Sequence, residues 1–297
     1  MAEGRPLSHL LLLAAIVVMW GSSPVLTKIA VAAWPPHWIV AGRLLLGAAT
    51  LVLYVQLRGH RWPRRFGSWG FFLVSGLLGN SLPFWLITWG QSWIPAGATA
   101  VLLGITPLAT LLLARRFVAD ERFDARRLAG FVLGFCGILV LVGPDAVAEL
   151  VGGATPLLAE LAVLAGGLCY AATTVIARLR PGEVREPVVA AAGTLVLGAL
   201  LSTSAAVPLE PPPFAAGPAW WAVLVLGLFG TALPTVCFFL LVSRAGPAFT
   251  STINYFIPIW GVGLAALSLG EPLEPQLLLA LALVLAGMWV AERRAQG

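Results

Sequence analysis

The stretch Gly76-Leu77-Leu78-Gly79-Asn80-Ser81-Leu82-Pro83 returns later in the chain as Gly227-Leu228-Phe229-Gly230-Thr231-Ala232-Leu233-Pro234, with five of eight positions identical at an offset of 151. At the same offset Pro107 matches Pro258; at an offset of 150, Trp20 matches Tyr170, Lys28 matches Arg178 and Glu121 matches Glu271. A chain rich in Gly and Leu produces chance matches, but features kept in order along one diagonal mark a duplicated unit. The halves are read as 1–145 and 146–297.

What kind of unit is duplicated follows from composition. Of 297 residues, 59% are hydrophobic and 10% charged, with a mean hydropathy of +0.93. Soluble globular chains carry about 25% charged residues, so an ordinary water-soluble enzyme and a disordered chain are both excluded. The net charge of +5 is not a nucleic-acid footprint, because the cations punctuate apolar runs instead of sharing a water-facing surface. Seventeen of the 18 basic residues are Arg, a composition that hints at a GC-rich bacterial genome. Cys136, Cys169 and Cys237 lie far apart inside apolar runs, with no metal or disulfide spacing.

Ten apolar segments are expected to cross a membrane, at about Leu7–Ala33, Pro35–Leu57, Trp69–Gln91, Ala96–Ala114, Arg127–Val142, Pro156–Ala177, Pro187–Val207, Ala219–Val242, Gly246–Leu269 and Leu273–Ala291. The first is too long for the apolar region of a secretory signal. Arg5, the Arg58–Arg65 and Arg115–Arg127 connections, Arg178–Arg185, Arg244 and Arg293-Arg294 hold sixteen arginines, while the alternate connections hold none. Cytoplasmic loops collect Lys and Arg, so both termini are expected in the cytoplasm. Five spans per half is an odd number, which turns the halves over relative to each other. The expected fold is an all-α integral membrane protein of ten helices in two inverted five-helix repeats. Such repeats characterise secondary transporters, with substrate held near the midplane between them.

At this point the chain resembles the EamA family of the drug/metabolite transporter superfamily. The resemblance rests on Trp20-Gly21-Ser22-Ser23 followed by Lys28, on Ala41 and Arg43, on Pro107 with Glu121-Arg122-Phe123, and on Pro258 with Gly270-Glu271-Pro272-Leu273. It covers nearly the whole chain and implies a ten-helix carrier of small metabolites in a bacterial inner membrane, with the YddG-like amino-acid exporters as the favoured branch. The second half departs from the pattern, with Cys169-Tyr170-Ala171-Ala172 in place of Trp-Gly-Ser.

Candidate substrate contacts are the polar and aromatic residues within the spans. Trp20, followed by Ser23, and Tyr170 fall near mid-membrane, away from the interfacial belts where membrane Trp and Tyr collect. Their rings suit an apolar or aromatic side chain; filling the core is the alternative. Lys28 and Arg43 lie toward the outer side and are placed to hold a carboxylate, or else to snorkel and to anchor packing. Asn80, Ser81, Trp85, Thr106, Thr231, Asn254 and Tyr255 cluster near four prolines, Pro83, Pro107, Pro234 and Pro258. A proline inside a helix removes a hydrogen bond and kinks it, so these four are read as gating kinks around a central cavity.

No acidic residue falls near a span centre, and His9, His37 and His60 sit at span ends or in a loop. Proton-coupled carriers use a buried Asp, Glu or His, so movement not strictly coupled to protons is expected. No phosphate loop, catalytic Ser/His pair, cofactor motif or metal cluster is recognisable, and neither an enzyme nor a channel is indicated. Gly130-x-x-x-Gly134 with Gly137 gives a small-residue face, expected to pack within a monomer rather than a dimer. The expected partners are a small-molecule substrate and the lipid bilayer, with no nucleic acid. The reading is an exporter of amino acids, including aromatic or other apolar ones; the alternative is a proton-coupled drug/metabolite or nucleotide-sugar carrier.

Overall fold

The computed structural model describes residues 6–118, 124–143, 155–184, 186–209 and 217–292. Arg5, Arg185, Arg293, Arg294 and the Glu121-Arg122-Phe123 stretch lie outside them. Among the described residues nine helices are long and apolar enough to cross a membrane: α1 (Leu7–Val31), α2 (Pro36–Leu57), α3 (Phe66–Gly90), α4 (Ala96–Phe117), α5 (Ala125–Val142), α6 (Thr155–Leu179), α7 (Pro187–Ala206), α8 (Pro218–Ala245) and α10 (Pro275–Glu292). Between the last two lies α9 (Ile253–Leu269), a shorter apolar helix of 17 residues, which rises about 26 Å. A single turn at Pro247–Thr250 precedes it.

Several spans are interrupted, and the sequence shows why. The repeated octapeptide forms a π-helical turn in both halves, Leu77–Ser81 and Leu228–Ala232, each followed at once by a Leu-Pro pair. Pro83 and Pro234 have no N–H, and their rings crowd the carbonyl four residues earlier. The wider turn moves that carbonyl away. In α1 the helix breaks at Ser22 before Pro24, and in α4 at Gly104-Ile105 before Pro107. Pro258 stands inside α9 without ending it. The partner of α1 in the second half, α6, runs unbroken for 25 residues; it lacks the Trp-Gly-Ser pattern and any counterpart of Pro24.

Packing repeats as the sequence does. Helix α5 lies along α10, α2 along α7, and α4 on α9; α1 packs on α8 and α9, as α6 packs on α3 and α4. Exchanging α1–α5 with α6–α10 returns the same pairings. The glycines of α5 explain its contact. A β-carbon on Gly130 would meet the Gly287 carbonyl oxygen at 2.5 Å, and one on Gly137 the Ala280 carbonyl at 2.9 Å. The small-residue face therefore packs on α10 of the same chain, where close backbone approach drives association between membrane helices. On its other face Leu128, Val132, Phe135 and Leu139 recur at helical spacing and are about half exposed, a surface suited to lipid.

Overpacking this seam should therefore unfold the pair. Gly130→Val is expected to cost roughly 1–3 kcal/mol or more, read as a lowered Tm of the purified protein. Gly67→Ala, where nothing lies within 4 Å, should leave the Tm unchanged.

Candidate functional site

The broken helices surround a cavity of about 660 Å³, within the range of small-molecule sites. Two aromatic pairs form its walls. Trp20 on α1 lies 5.5 Å, centroid to centroid, from Phe238 on α8. Phe84 on α3 stands edge-on to Tyr170 on α6, at 6.3 Å and 73°.

Between these walls sits a cation. Arg43, on α2, is 5% exposed and borders the cavity. Its Nε and Nη2 donate to Thr231 Oγ1 at 3.3 and 3.2 Å, and Nη2 reaches the Gly230 carbonyl at 3.4 Å. The guanidinium lies 3.8 Å over the Phe84 ring, a cation–π contact. Thr231 Oγ1 in turn donates to the Leu226 carbonyl, five residues back, at 2.9 Å. The π turn thus presents both the Thr231 hydroxyl and the Gly230 carbonyl to Arg43.

The two ends of the cavity differ. One reaches the arginine-rich face, where Arg178, Val242 and Glu292 line it at the ends of α6, α8 and α10. The other ends beneath Thr27 and Gln91, which are 2% and 0% exposed. Three contacts hold that end shut. Lys28 Nζ donates to the Gln91 and Ile94 carbonyls at 2.8 and 2.9 Å, placing a cation at the end of α3 where carbonyls lack helical partners. The Glu271 carboxylate accepts from Ala96 N and Gly97 N at 2.7 and 2.8 Å, an anion at the N-terminus of α4. Gln91 Nε2 donates to the Pro24 carbonyl at 2.8 Å. The α3–α4 turn is thereby clamped from α1 and from the end of α9.

Of the residues singled out in the sequence, Trp20, Ser23, Arg43, Asn80, Thr106, Tyr170, Thr231 and Asn254 line this one cavity, as do Pro107 and Pro258. Lys28, Ser81, Trp85, Tyr255, Pro83 and Pro234 are not among its lining residues. Lys28 is spent on the clamp instead of snorkelling to a headgroup. Ser81 is bonded to Ser202 on α7, Oγ to Oγ at 2.6 Å. Trp85 is 42% exposed on the outer surface. Tyr255 donates its hydroxyl to Glu292 Oε2 at 2.8 Å, beside the mouth. Pro83 and Pro234 act one step removed, by forcing the π turns.

Sequence reasoning passed over Gln91, Phe84, Phe238 and Glu292. Gln91 falls at the end of an apolar run, and its buried Oε1 has no partner among the described residues. Phe84 directly follows the repeated octapeptide, which was the available signal. Glu292 falls one residue beyond the expected end of the last span, so the cavity mouth does carry an acid.

The residues 7–143 and 157–292 each match the EamA-like transporter family model. The chain belongs to this family. It is 27% identical over 290 residues to the uncharacterized transporter YvbV of Bacillus subtilis, covering 96% of this chain and 92% of that one. It is 26% identical over 272 residues to the uncharacterized inner membrane transporter YedA of Escherichia coli K12, covering 91% and 86%. It is 28% identical over 283 residues to a probable terminal-alkyne amino-acid exporter of Streptantibioticus cattleyicolor, covering 95% and 92%. A solved crystal structure superposes with a TM-score of 0.67 at 22% identity, over 96% of this chain and 97% of that one, which establishes the fold. The chain is thus a multi-pass membrane transporter of the EamA type.

Removing the clamp should loosen the closed end. In Glu271→Gln, a cysteine at Thr27 is expected to react at least severalfold faster with a membrane-impermeant maleimide than in the unaltered background. Equal rates would show that Glu271 does not hold this end shut.

Proposed function

We propose that this chain is a bacterial inner-membrane exporter of small metabolites, foremost amino acids with aromatic or other apolar side chains, working by alternating access between two inverted five-helix repeats. The observation that carries the reading is a cavity bordered by both halves, reaching one face and clamped at the other. The arginine-rich face is the cytoplasmic one, so this conformation faces inward, with both termini in the cytoplasm. Trp20, Phe238, Phe84 and Tyr170 give an apolar side chain aromatic surfaces, while Asn80, Thr106, Thr231 and Asn254 offer neutral dipoles to its polar end. A zwitterion leaving water needs such partners, since unpaired burial of charge is prohibitive. The exporter named among the relatives supports amino acids as the class. The protein works as a monomer, its α5 glycines being engaged by its own α10.

Transport down the substrate's own gradient is the favoured mechanism, because among the described residues no acid sits at the middle of a span. A second reading, proton-coupled exchange, is favoured by one observation: Glu292, hydrogen-bonded to Tyr255, stands at the mouth.

Counterflow of radiolabelled phenylalanine and leucine in proteoliposomes tests both. Saturable exchange that survives an uncoupler is expected. Complete loss on collapsing the pH gradient would establish the coupled reading, and no exchange of any amino acid would overturn the substrate class. Trp20→Ala and Tyr170→Ala should each lower kcat/KM roughly tenfold, the equivalent of about 1.4 kcal/mol. Trp62→Ala, whose ring stacks on Trp69 at 6.1 Å away from the cavity, should leave the rate unchanged.

A further inference from the structure

Arg43 is a cation buried inside a membrane protein, and among the described residues no carboxylate pairs with it. Every acceptor it meets is neutral: a threonine hydroxyl, a backbone carbonyl and the face of Phe84. Its Nη1 donates to no described group. A charge at membrane depth is costly and marks a substrate pathway or a paired site, and a guanidinium is shaped to grip a carboxylate with two parallel N–H donors.

A second polar group shares the position. Ser23 Oγ is buried and has no hydrogen-bond partner among the described residues. Both groups flank Gly230, where an added β-carbon would lie 3.1 Å from Ser23 Oγ and 3.6 Å from Arg43 Nη2. Glycine at this point of the π turn leaves open the space that the two donors share. A third buried atom, Oε1 of the cavity-bordering Gln91, also lacks a partner among the described residues. Ser23 Oγ and Gln91 Oε1 are enclosed in this conformation, while both residues, together with Arg43, border the cavity.

We infer that Arg43 and Ser23, facing each other across Gly230, form a carboxylate subsite that selects substrates carrying a free carboxylate. This deepens the proposal above and rests on its placement of the substrate in the cavity. The carboxylate accepts from the guanidinium and from the Ser23 hydroxyl. Amides, esters and decarboxylated amines have no anion for Arg43 and are rejected, because binding them leaves the cation buried and uncompensated.

The test is equilibrium binding to the purified full chain, by competition against radiolabelled phenylalanine and, separately, against its des-amino analogue 3-phenylpropionate. For the unaltered protein, phenylalanine and 3-phenylpropionate should compete, while phenylalaninamide and phenethylamine should be at least tenfold weaker. Arg43→Gln should abolish this preference for the acid, and Arg43→Lys should restore part of it. Gly230→Ala keeps the guanidinium and sets its methyl group 3.1 Å from Ser23 Oγ and 3.3 Å from Leu226 Cδ2; with an unchanged Tm as the check that it folds, it should weaken the acids severalfold more than the amine. Binding of 3-phenylpropionate that depends on Arg43, without binding of phenylalanine, would support the subsite and overturn the amino-acid reading. An amide that competes as well as the acid, or Gly230→Ala and Arg43→Gln proteins with undiminished preference for the acid, would overturn the subsite. Binding of neither acid would overturn both.

Discussion

A lipid interior offers a backbone carbonyl no water, so irregular backbone persists at membrane depth only where protein or a wet cavity satisfies it. That constraint organises this molecule. Its proline-driven irregularities, at Ser22, at Leu77–Ser81, at Gly104-Ile105 and at Leu228–Ala232, belong to four of the helices whose residues line the cavity. One of them presents Thr231 and the Gly230 carbonyl to Arg43. The outermost pair, α5 and α10, carries none and is joined by glycine contacts along regular helix.

The same economy appears at the closed end. The α3–α4 turn leaves carbonyls unpaired at the end of one helix and N–H groups unpaired at the start of the next. Lys28 answers the first and Glu271 the second, each arriving from a distant part of the chain. Because both ionic groups hydrogen-bond to the backbone of the turn, they tie it to α1 and to the end of α9 together. Opening that end means parting both contacts. At the arginine-rich end the cavity runs between the ends of α6 and α8. The family motifs around Lys28 and Glu271 thus tie the α3–α4 turn to α1 and to the end of α9.

Much of this was legible in the sequence, for definite reasons. The repeated octapeptide located a duplicated irregularity because proline's missing N–H acts locally. Trp20, Asn80, Tyr170 and Thr231 could be placed by depth alone, and depth fixes where along a span a residue lies. Depth does not fix azimuth. Ser81, one residue from Asn80, turns toward α7, and Trp85, one residue from Phe84, turns outward; spacing of 100° per residue decides this only in a regular helix, and the π turn at Leu77–Ser81 shifts the register. Lys28 was legible as an intramembrane cation but not as a helix cap, since its acceptors lie more than 60 residues away. Glu292 was missed through a boundary one residue short, the least secure feature of any span.

The central claim is that one cavity is opened at alternate faces. Spin labels at Leu179 and Ser243, on the ends of α6 and α8, report the arginine-rich face; labels at Trp93 and Leu273, across the clamp, report the opposite one. In nanodiscs, a saturating transported amino acid is predicted to populate a state in which the first distance shortens while the second lengthens. Distances that both stay fixed, or that both shorten, would contradict alternating access in this protein.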